Sequence, residues 1–162
     1  CGDDALAALD RKLAGVYGKA LKKAANEHPP VLKAEQRGWV KGRDECWKER
    51  GGGDGAVRAC VEKTYVERIA EIEARYRLVE HVPTIRLACE NQPSNEVAVT
   101  YFRTEPPTLI AEYGDRVSLM FARPTGSGTR YEGRNEKLSE HQGEFKVTWG
   151  YQAPEMTCRK AP

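Results

Sequence analysis

The heptapeptide Thr125-Gly126-Ser127-Gly128-Thr129-Arg130-Tyr131 determines how the second half of the chain can fold. It separates two β-prone runs, at residues 116–121 and 130–132, and it is too polar for a core. Two glycines flank a serine, so the backbone can turn sharply and approach a partner closely. The pattern predicts a polar hairpin with the Ser127 hydroxyl at its tip and Tyr131 anchoring the start of the next strand.

Other short β-prone runs lie on both sides of this hairpin, separated by turn signals such as Gly114-Asp115. We predict strands at residues 84–89, 96–102, 108–113, 116–121, 130–132, 137–140, 144–149 and 155–159. Apolar residues alternate in two of these runs, and the alternation predicts one buried face. These residues are Val97, Val99, Tyr101, Val117, Leu119 and Phe121. Up to eight short strands predict a small antiparallel barrel or sandwich.

The five cysteines, at positions 1, 46, 60, 89 and 158, contain no CxxC pair, and the three histidines are scattered. This pattern argues against a metal site and favours disulfides, which form in oxidising compartments outside the cytoplasm. Cys89 lies on the first predicted strand and Cys158 on the last. Because a closed barrel makes these strands neighbours, we expect a Cys89–Cys158 disulfide.

Residues 1–79 follow a helical period instead. A first helix starts after Asp3 and ends at His28-Pro29-Pro30, a second runs to the glycine-rich segment at residues 51–55, and a third covers residues 56–78. Gly53 is equidistant from Cys46 and Cys60, and equidistant positions face each other in an antiparallel helical hairpin. We therefore expect a Cys46–Cys60 disulfide, which contributes about 3 kcal/mol in the chain-entropy model.

The predicted fold class is thus α+β, with a disulfide-stapled three-helix domain at residues 1–79 and a β domain at residues 80–162. Trp39, Trp47 and Trp149 are expected in the core or at a domain contact. Arg68 on the third helix is expected on a solvated face.

Composition limits the function. Charged residues make up 31% and apolar residues 40% of the 162 residues, and the net charge is +2. The helical part carries +3 and the β part −1, so neither has the concentrated basic face of a nucleic-acid-binding protein. No apolar run approaches the ~20 residues that span a bilayer. We expect no nucleic-acid partner and no cofactor.

Two segments of the helical half carry a family resemblance. Cys1-Gly-Asp-Asp-Ala-Leu-Ala-Ala-Leu-Asp-Arg11 and Ala34-Glu-Gln-Arg-Gly-Trp-Val-Lys-Gly-Arg-Asp-Glu-Cys46 resemble the LprI-type domain of bacterial envelope proteins. The resemblance covers nearly the whole helical half. It implies an exported helical module, linked in at least one relative to lysozyme inhibition, and it transfers no site residues.

Cys1 has two interpretations. A chain that opens on cysteine is expected to have lost an N-terminal segment. Cys1 is then either the acylated first residue of a lipoprotein, attached to a membrane through its lipid, or half of a disulfide with an upstream partner. We expect a protein of the bacterial cell envelope, periplasmic or lipid-anchored, or a secreted one.

The β half resembles the MliC family, the envelope inhibitors of c-type lysozyme. The resemblance rests on Cys89, on Ser127-Gly-Thr-Arg-Tyr131, on a Gly143-Glu144 turn and on Thr157-Cys158-Arg159. It implies an eight-stranded antiparallel barrel that pushes a loop into the lysozyme cleft. Ser127 would be the inserted hydroxyl, and Gly128 and Tyr131 would shape its loop. Thr129 and Arg130 belong to the same partner-binding loop.

Gln142 is a departure from that family. The resemblance implies a second contact from a lysine before the Gly-Asp/Glu turn, and Gln142 occupies this position. Glutamine offers neutral hydrogen bonds, which are weaker than charge-assisted ones. Inhibition is then reduced, or another cation such as Arg130, Arg134 or Lys137 substitutes.

Three functions remain in view. The first is an inhibitor with c-type lysozyme as its partner. The second, a small envelope enzyme, is disfavoured because Ser127 lacks a GxSxG setting and the histidines have no acid partner at a recognisable spacing. The third is an adhesion or scaffold module that binds another protein or a small apolar ligand.

Overall fold

The computed structural model describes residues 2–162, which form two units. The first unit ends at Leu78 and is helical, whereas the second begins at Val79 and is built from eight strands. The predicted α+β class, with three helices before an eight-stranded antiparallel barrel, is confirmed. The expectations for Cys1 lie outside the described residues.

The helical unit contains α1 (Asp4–Lys23), α2 (Val31–Asp44), a 3-10 helix η1 (Glu45–Gly52) and α3 (Asp54–Arg75). Asp3 caps α1, since its side chain accepts a hydrogen bond from the Leu6 amide at 3.1 Å. The second helix was expected to continue to the glycine run, but its α-helical part ends at Asp44. No helix in the described part of the chain has the length and apolarity needed to cross a membrane.

The core of the helical unit is made by apolar residues of α1, α2 and α3 at helical spacing. Those buried are Leu13, Ala20, Leu32, Tyr65, Ile69 and Ile72. The disulfide Cys46–Cys60 joins η1 to α3, with Cα atoms 5.7 Å apart. It fastens the irregular end of the helical hairpin, where few apolar side chains are buried.

The expectation for Arg68 is wrong, because its side chain is buried between α2 and α3. The guanidinium donates to Gln36 Oε1 at 3.0 Å and to Glu71 Oε2 at 2.8 Å. The bond to Gln36 joins α3 to α2, and the carboxylate of Glu71, on α3 itself, balances a charge that is costly to bury alone. Trp47 does not lie in the core of the helical unit, one of the two places expected for it, since 56% of this residue is exposed.

The second unit is a closed barrel in which each strand pairs antiparallel with the next and β8 pairs with β1. The strands are β1 (Ile85–Cys89), β2 (Gln92–Phe102), β3 (Thr108–Tyr113), β4 (Arg116–Thr125), β5 (Gly128–Glu132), β6 (Glu136–His141), β7 (Glu144–Trp149) and β8 (Glu155–Lys160). Cys89 and Cys158 lie opposite each other on β1 and β8 and form a disulfide. This bond closes the seam between the first and last strands.

The barrel core is apolar and includes Val97, Val99 and Trp149. On β4 the alternation is opposite to the one expected: Ser118 and Met120 face inward, while Val117 is 56% exposed. The tight Gly114-Asp115 turn pairs Tyr113 with Arg116 and thereby fixes this register. Because side chains alternate with period two, a shift of one residue exchanges the two faces.

Candidate functional site

The β4–β5 hairpin presents Ser127 at its tip. Thr125 pairs with Gly128, so Gly126 and Ser127 form a two-residue turn, and Thr125 Oγ1 donates to the Gly128 carbonyl at 2.9 Å. Gly128 has a φ of +141°, a conformation that side-chain-bearing residues rarely adopt. The turn is exposed, and the Ser127 hydroxyl has no hydrogen-bond partner among residues 2–162. The hydroxyl is therefore available to a partner.

The β6–β7 hairpin presents Gln142. His141 pairs with Glu144, and the two turn residues Gln142 and Gly143 have φ values of +51° and +81°. Two positive φ values are typical of a type I′ turn. The Gly143 amide donates to Glu140 Oε1 at 2.7 Å and holds the turn to its own strand. Gln142 is exposed at the tip.

The two hairpins lie at the same end of the barrel, because consecutive hairpins of an up-and-down barrel alternate between its ends. They share a cavity of about 690 Å³. Its lining includes Gly128, Thr129 and Tyr131 from the first hairpin and Glu140 and Gly143 from the second. Strands β1, β2, β6, β7 and β8 and the segment before β1 supply the rest, namely Val82, Ile85, Tyr101, Leu138, Phe145 and Lys160. The structure thus brings most of the predicted residues to one place, with Ser127 and Gln142 on its two rims.

Two tyrosines form the aromatic wall of this cavity. The rings of Tyr101 and Tyr131 meet edge to face with centroids 5.5 Å apart. Burial raises the pKa of Tyr131, and burial together with nearby Tyr131 and Glu140 raises the pKa of Tyr101 to about 12. Both hydroxyls are therefore neutral at physiological pH and can donate hydrogen bonds. Tyr101 was predicted as a residue of the buried face, and its place in the site depends on barrel closure.

Arg130 lies on the outer face of the hairpin. It stands opposite Arg123 on β4 and Ser139 on β6, and its guanidinium pairs with Glu132 at 2.5 Å. Arg123 lies over the Phe121 ring, 5.4 Å from the ring centroid. Arg123 was not expected at this site, although its cross-strand position relative to Arg130 follows from a two-residue turn. Two guanidinium groups therefore accompany Ser127 on one hairpin.

Arg134 and Lys137, which were expected as alternative cations, lie away from this site. Arg134 is in the β5–β6 connection, which is at the other end of the barrel. Lys137 lies opposite Glu132 on β5 and Thr148 on β7, also toward that end of the barrel. Among residues 2–162, no group of three or more His, Cys, Asp or Glu side chains is arranged to hold a metal ion.

Comparison with known proteins gives one family match for the helical unit and another for the barrel. Residues 1–72 match the family described as "Lysozyme inhibitor LprI", and residues 88–156 match MliC, "Membrane-bound lysozyme-inhibitor of c-type lysozyme". Lipoprotein LprI of Mycobacterium bovis and of Mycobacterium tuberculosis are each 29% identical over 160 residues, covering 98% of this chain and 76% of the relative. Both resemblances seen in the sequence are therefore confirmed.

The chain is also similar to a solved structure. It is PliC-St, a periplasmic lysozyme inhibitor of c-type lysozyme from Salmonella typhimurium. The identity is 19% and the TM-score 0.39, and the match covers 51% of this chain and 99% of that one.

Proposed function

We propose that this chain, which carries an LprI region at residues 1–72 followed by an MliC domain at residues 88–156, inhibits a c-type lysozyme by inserting its β4–β5 hairpin into the active-site cleft. Both regions belong to families of lysozyme inhibitors, and the expectation that the protein is not an enzyme is confirmed on that ground. One observation supports the mechanism above the others: the exposed Ser127 hydroxyl has no hydrogen-bond partner within residues 2–162 and lies on a hairpin that the barrel holds in place.

The chemistry of the cleft suits a serine hydroxyl. A c-type lysozyme uses two carboxyl groups, one protonated as general acid and one ionised. A hydroxyl has one donor and two acceptor positions, so Ser127 can donate to the ionised group and accept from the protonated one. Gly126 and Gly128 add no side chains beside it, and a Cβ at either position would meet no atom within 4 Å. The hairpin is narrow enough to follow its serine into the cleft.

The hairpin needs little ordering when it binds. Five residue pairs connect β4 to β5, and the Thr125–Gly128 bond closes the tip. A loop that already has its bound shape avoids the entropy cost that a flexible loop meets on association. This rigidity supports inhibition by occupation of the cleft.

The charges of the hairpin also support its insertion into the cleft. The cleft carries negative charge, and the hairpin carries Arg123 and Arg130 close behind Ser127. Gln142 lies on the neighbouring hairpin and contributes neutral hydrogen bonds where a lysine would contribute a charged one. We propose that Arg130, released from Glu132, supplies the positive charge that Gln142 lacks.

The location proposed for the protein is the bacterial cell envelope. Two disulfides indicate an oxidising compartment. The relatives in Mycobacterium are named lipoproteins, and the solved structure of the comparison is a periplasmic protein. Attachment through a lipid on Cys1 agrees with the names of the Mycobacterium relatives.

The cavity supports a second candidate function, in which the barrel binds a small apolar ligand. Its volume of about 690 Å³ lies within the range of small-molecule sites. Apolar and aromatic side chains form much of its wall, and the two tyrosine hydroxyls, Glu140 and Lys160 provide a few polar groups.

Inhibition of cell-wall lysis tests the proposal. We expect the wild-type chain to block lysis by a purified c-type lysozyme, followed by turbidity, and Ser127→Trp to lose this effect because an indole cannot enter beside the carboxyl groups. Ser94→Trp is the matched control, since Ser94 is an exposed serine on β2 near the other end of the barrel. Equal inhibition by both tryptophan variants would exclude the hairpin.

The effect of having glutamine instead of lysine at position 142 is tested in the same assay. Gln142→Lys keeps the exposed position at the turn and adds a charge that faces the acidic cleft. We expect a roughly tenfold lower inhibition constant, since a charge-assisted bond replaces a neutral one. An unchanged constant would show that the β6–β7 hairpin does not meet the carboxyl groups.

A further inference from the structure

A second recess lies in the helical unit, far along the chain from the Ser127 hairpin. It has a volume of about 810 Å³ and is bordered by α1, α2, η1 and α3. We call it the acidic groove and define it by six of its lining residues: Leu6, Asp10, Asp44, Trp47, Val57 and Val61. Apolar side chains form one part of it and carboxylates the other.

Trp47 gives the acidic groove an exposed aromatic surface. It is 56% exposed, although the neighbouring Cys46 is buried and its disulfide to Cys60 fixes the backbone at this point. An exposed tryptophan on a rigid support loses little entropy on binding. Tryptophan is also enriched among the residues that dominate interface energetics.

A hydrogen-bonded chain forms the polar side of the acidic groove. The Tyr65 hydroxyl donates to Asp10 Oδ1 at 2.8 Å, and Arg43 donates to the Tyr65 hydroxyl at 3.1 Å. Arg43 also donates twice to Asp44 Oδ1, at 3.0 and 2.7 Å. These bonds hold both aspartates in fixed positions.

The carboxylates of Asp3, Asp10 and Asp44 outnumber the one lining cation, Arg43, in this recess, although the helical part of the sequence has a net charge of +3. Asp44 is paired with Arg43, and Asp3, at the edge of the recess, is paired with Arg58. Asp10 has no cation at ion-pair distance among residues 2–162; it accepts a hydrogen bond from the neutral Tyr65 hydroxyl, which in turn accepts one from Arg43. A carboxylate without a direct ion pair, in the same recess as an exposed indole, is complementary to a lysine or arginine flanked by apolar atoms.

We infer that the acidic groove binds a c-type lysozyme, the class of partner that the barrel is proposed to inhibit. The groove would contact a basic surface of the lysozyme outside its active-site cleft. The inference rests on the proposed function. The cleft carries carboxylates, which would repel Asp10, so the two surfaces of this chain select oppositely charged surfaces of the partner. The match of residues 1–72 to a family of lysozyme inhibitors supports a contact in this unit.

The contact has a definite form. A cationic head of the partner meets Asp10, and its aliphatic stem or a neighbouring apolar side chain covers Trp47, Leu6 and Val57. Desolvation of the indole provides affinity, whereas the carboxylate provides orientation and a dependence on salt.

Binding of the full chain to immobilised c-type lysozyme tests the inference. We expect Trp47→Ala to raise the dissociation constant about tenfold. Asp10→Asn is expected to weaken binding and to reduce its dependence on salt, because the amide oxygen still accepts the Tyr65 hydrogen bond but the charge is gone. Glu49→Gln is the matched control, since Glu49 is an exposed carboxylate of η1 that does not line the groove.

Each result separates the inference from the proposed function. Unchanged binding by Trp47→Ala and Asp10→Asn overturns the inference, while the proposed function stands if wild type inhibits and Ser127→Trp does not. Absence of lysozyme binding by wild type overturns both. A change in sedimentation of the free chain, with lysozyme binding unaltered, assigns the groove to contacts between copies and overturns the inference. Thermal unfolding of each variant shows that its fold is retained.

Discussion

At the scale of single residues, the backbone of the β4–β5 hairpin determines where the Ser127 hydroxyl is presented. Gly128 has a positive φ, while Gly126, on the other side of the serine, does not. The two glycines look equivalent in the sequence, and their different roles follow from the turn geometry. They therefore provide a matched pair of substitutions.

We expect Gly128→Ala to lower the free energy of unfolding of the barrel by about 1–3 kcal/mol, because alanine rarely adopts this φ. Gly126→Ala should leave it unchanged, since its added Cβ meets no atom within 4 Å and its φ is ordinary. Urea unfolding followed by circular dichroism measures both. Equal effects of the two substitutions would contradict the hairpin geometry described above.

Tyr101 supplies a prediction on pH. Burial, with nearby Tyr131 and Glu140, raises its pKa to about 12, above the ordinary value of 10. A raised pKa means that the fold favours the neutral phenol. The resulting stabilisation is complete below pH 10 and is lost as pH rises from 10 through 12.

We therefore expect the barrel to lose about 1–2 kcal/mol of stability between pH 9 and pH 12 through Tyr101, a figure reduced for its partial exposure. Tyr101→Phe should flatten this part of the pH profile. Tyr151→Phe is the control, because Tyr151 is 80% exposed. A profile that Tyr101→Phe leaves unchanged would contradict the burial of this hydroxyl.

At the scale of elements, the sequence predicts the strands well, because a strand with one buried face repeats every two residues. The eight predicted runs correspond to β1–β8, with differences of a few residues at their ends. The face of β4 was assigned wrongly, since both of its alternating sets contain apolar residues. Its register depends on the turn before it, which local alternation does not reveal.

In the helical unit, the sequence did not predict the burial of Arg68 or the exposure of Trp47. Arg68 lies three residues after Tyr65 and four before Ile72, so its position belonged to the buried stripe of α3 although its charge indicated solvent. A core position was one of the two expected for Trp47, because an α-helix was predicted there. A 3-10 helix has three residues per turn, which places side chains at different angles from those of an α-helix.

Arg68 also gives a prediction for α2 and α3. Arg68→Ala should lower the free energy of unfolding of the helical unit by about 3–5 kcal/mol, since it breaks a buried polar network. Arg75→Ala removes an exposed pair with the same Glu71 and should cost less than about 1 kcal/mol. Ellipticity at the helical band during urea unfolding measures both. Similar losses for the two variants would contradict a buried role for Arg68.

At the scale of the whole molecule, residues 1–72 and residues 88–156 each match the model of a lysozyme-inhibitor family, and each unit has its own disulfide. The hairpin at Ser127 is basic through Arg123 and Arg130, whereas the acidic groove presents Asp10. Opposite charges on two binding surfaces favour two different places on a partner. The sequence predicted the hairpin through a short motif, but the groove is assembled from distant segments and has no motif of its own.

The central claim is that the hairpin occupies the cleft that substrate would otherwise fill. Steady-state hydrolysis of a soluble chito-oligosaccharide by c-type lysozyme, at several concentrations of the full chain, tests it most directly. We expect competitive inhibition, in which the apparent KM rises and kcat is unchanged. A fall in kcat with KM unchanged would contradict it, because substrate and inhibitor would then bind together.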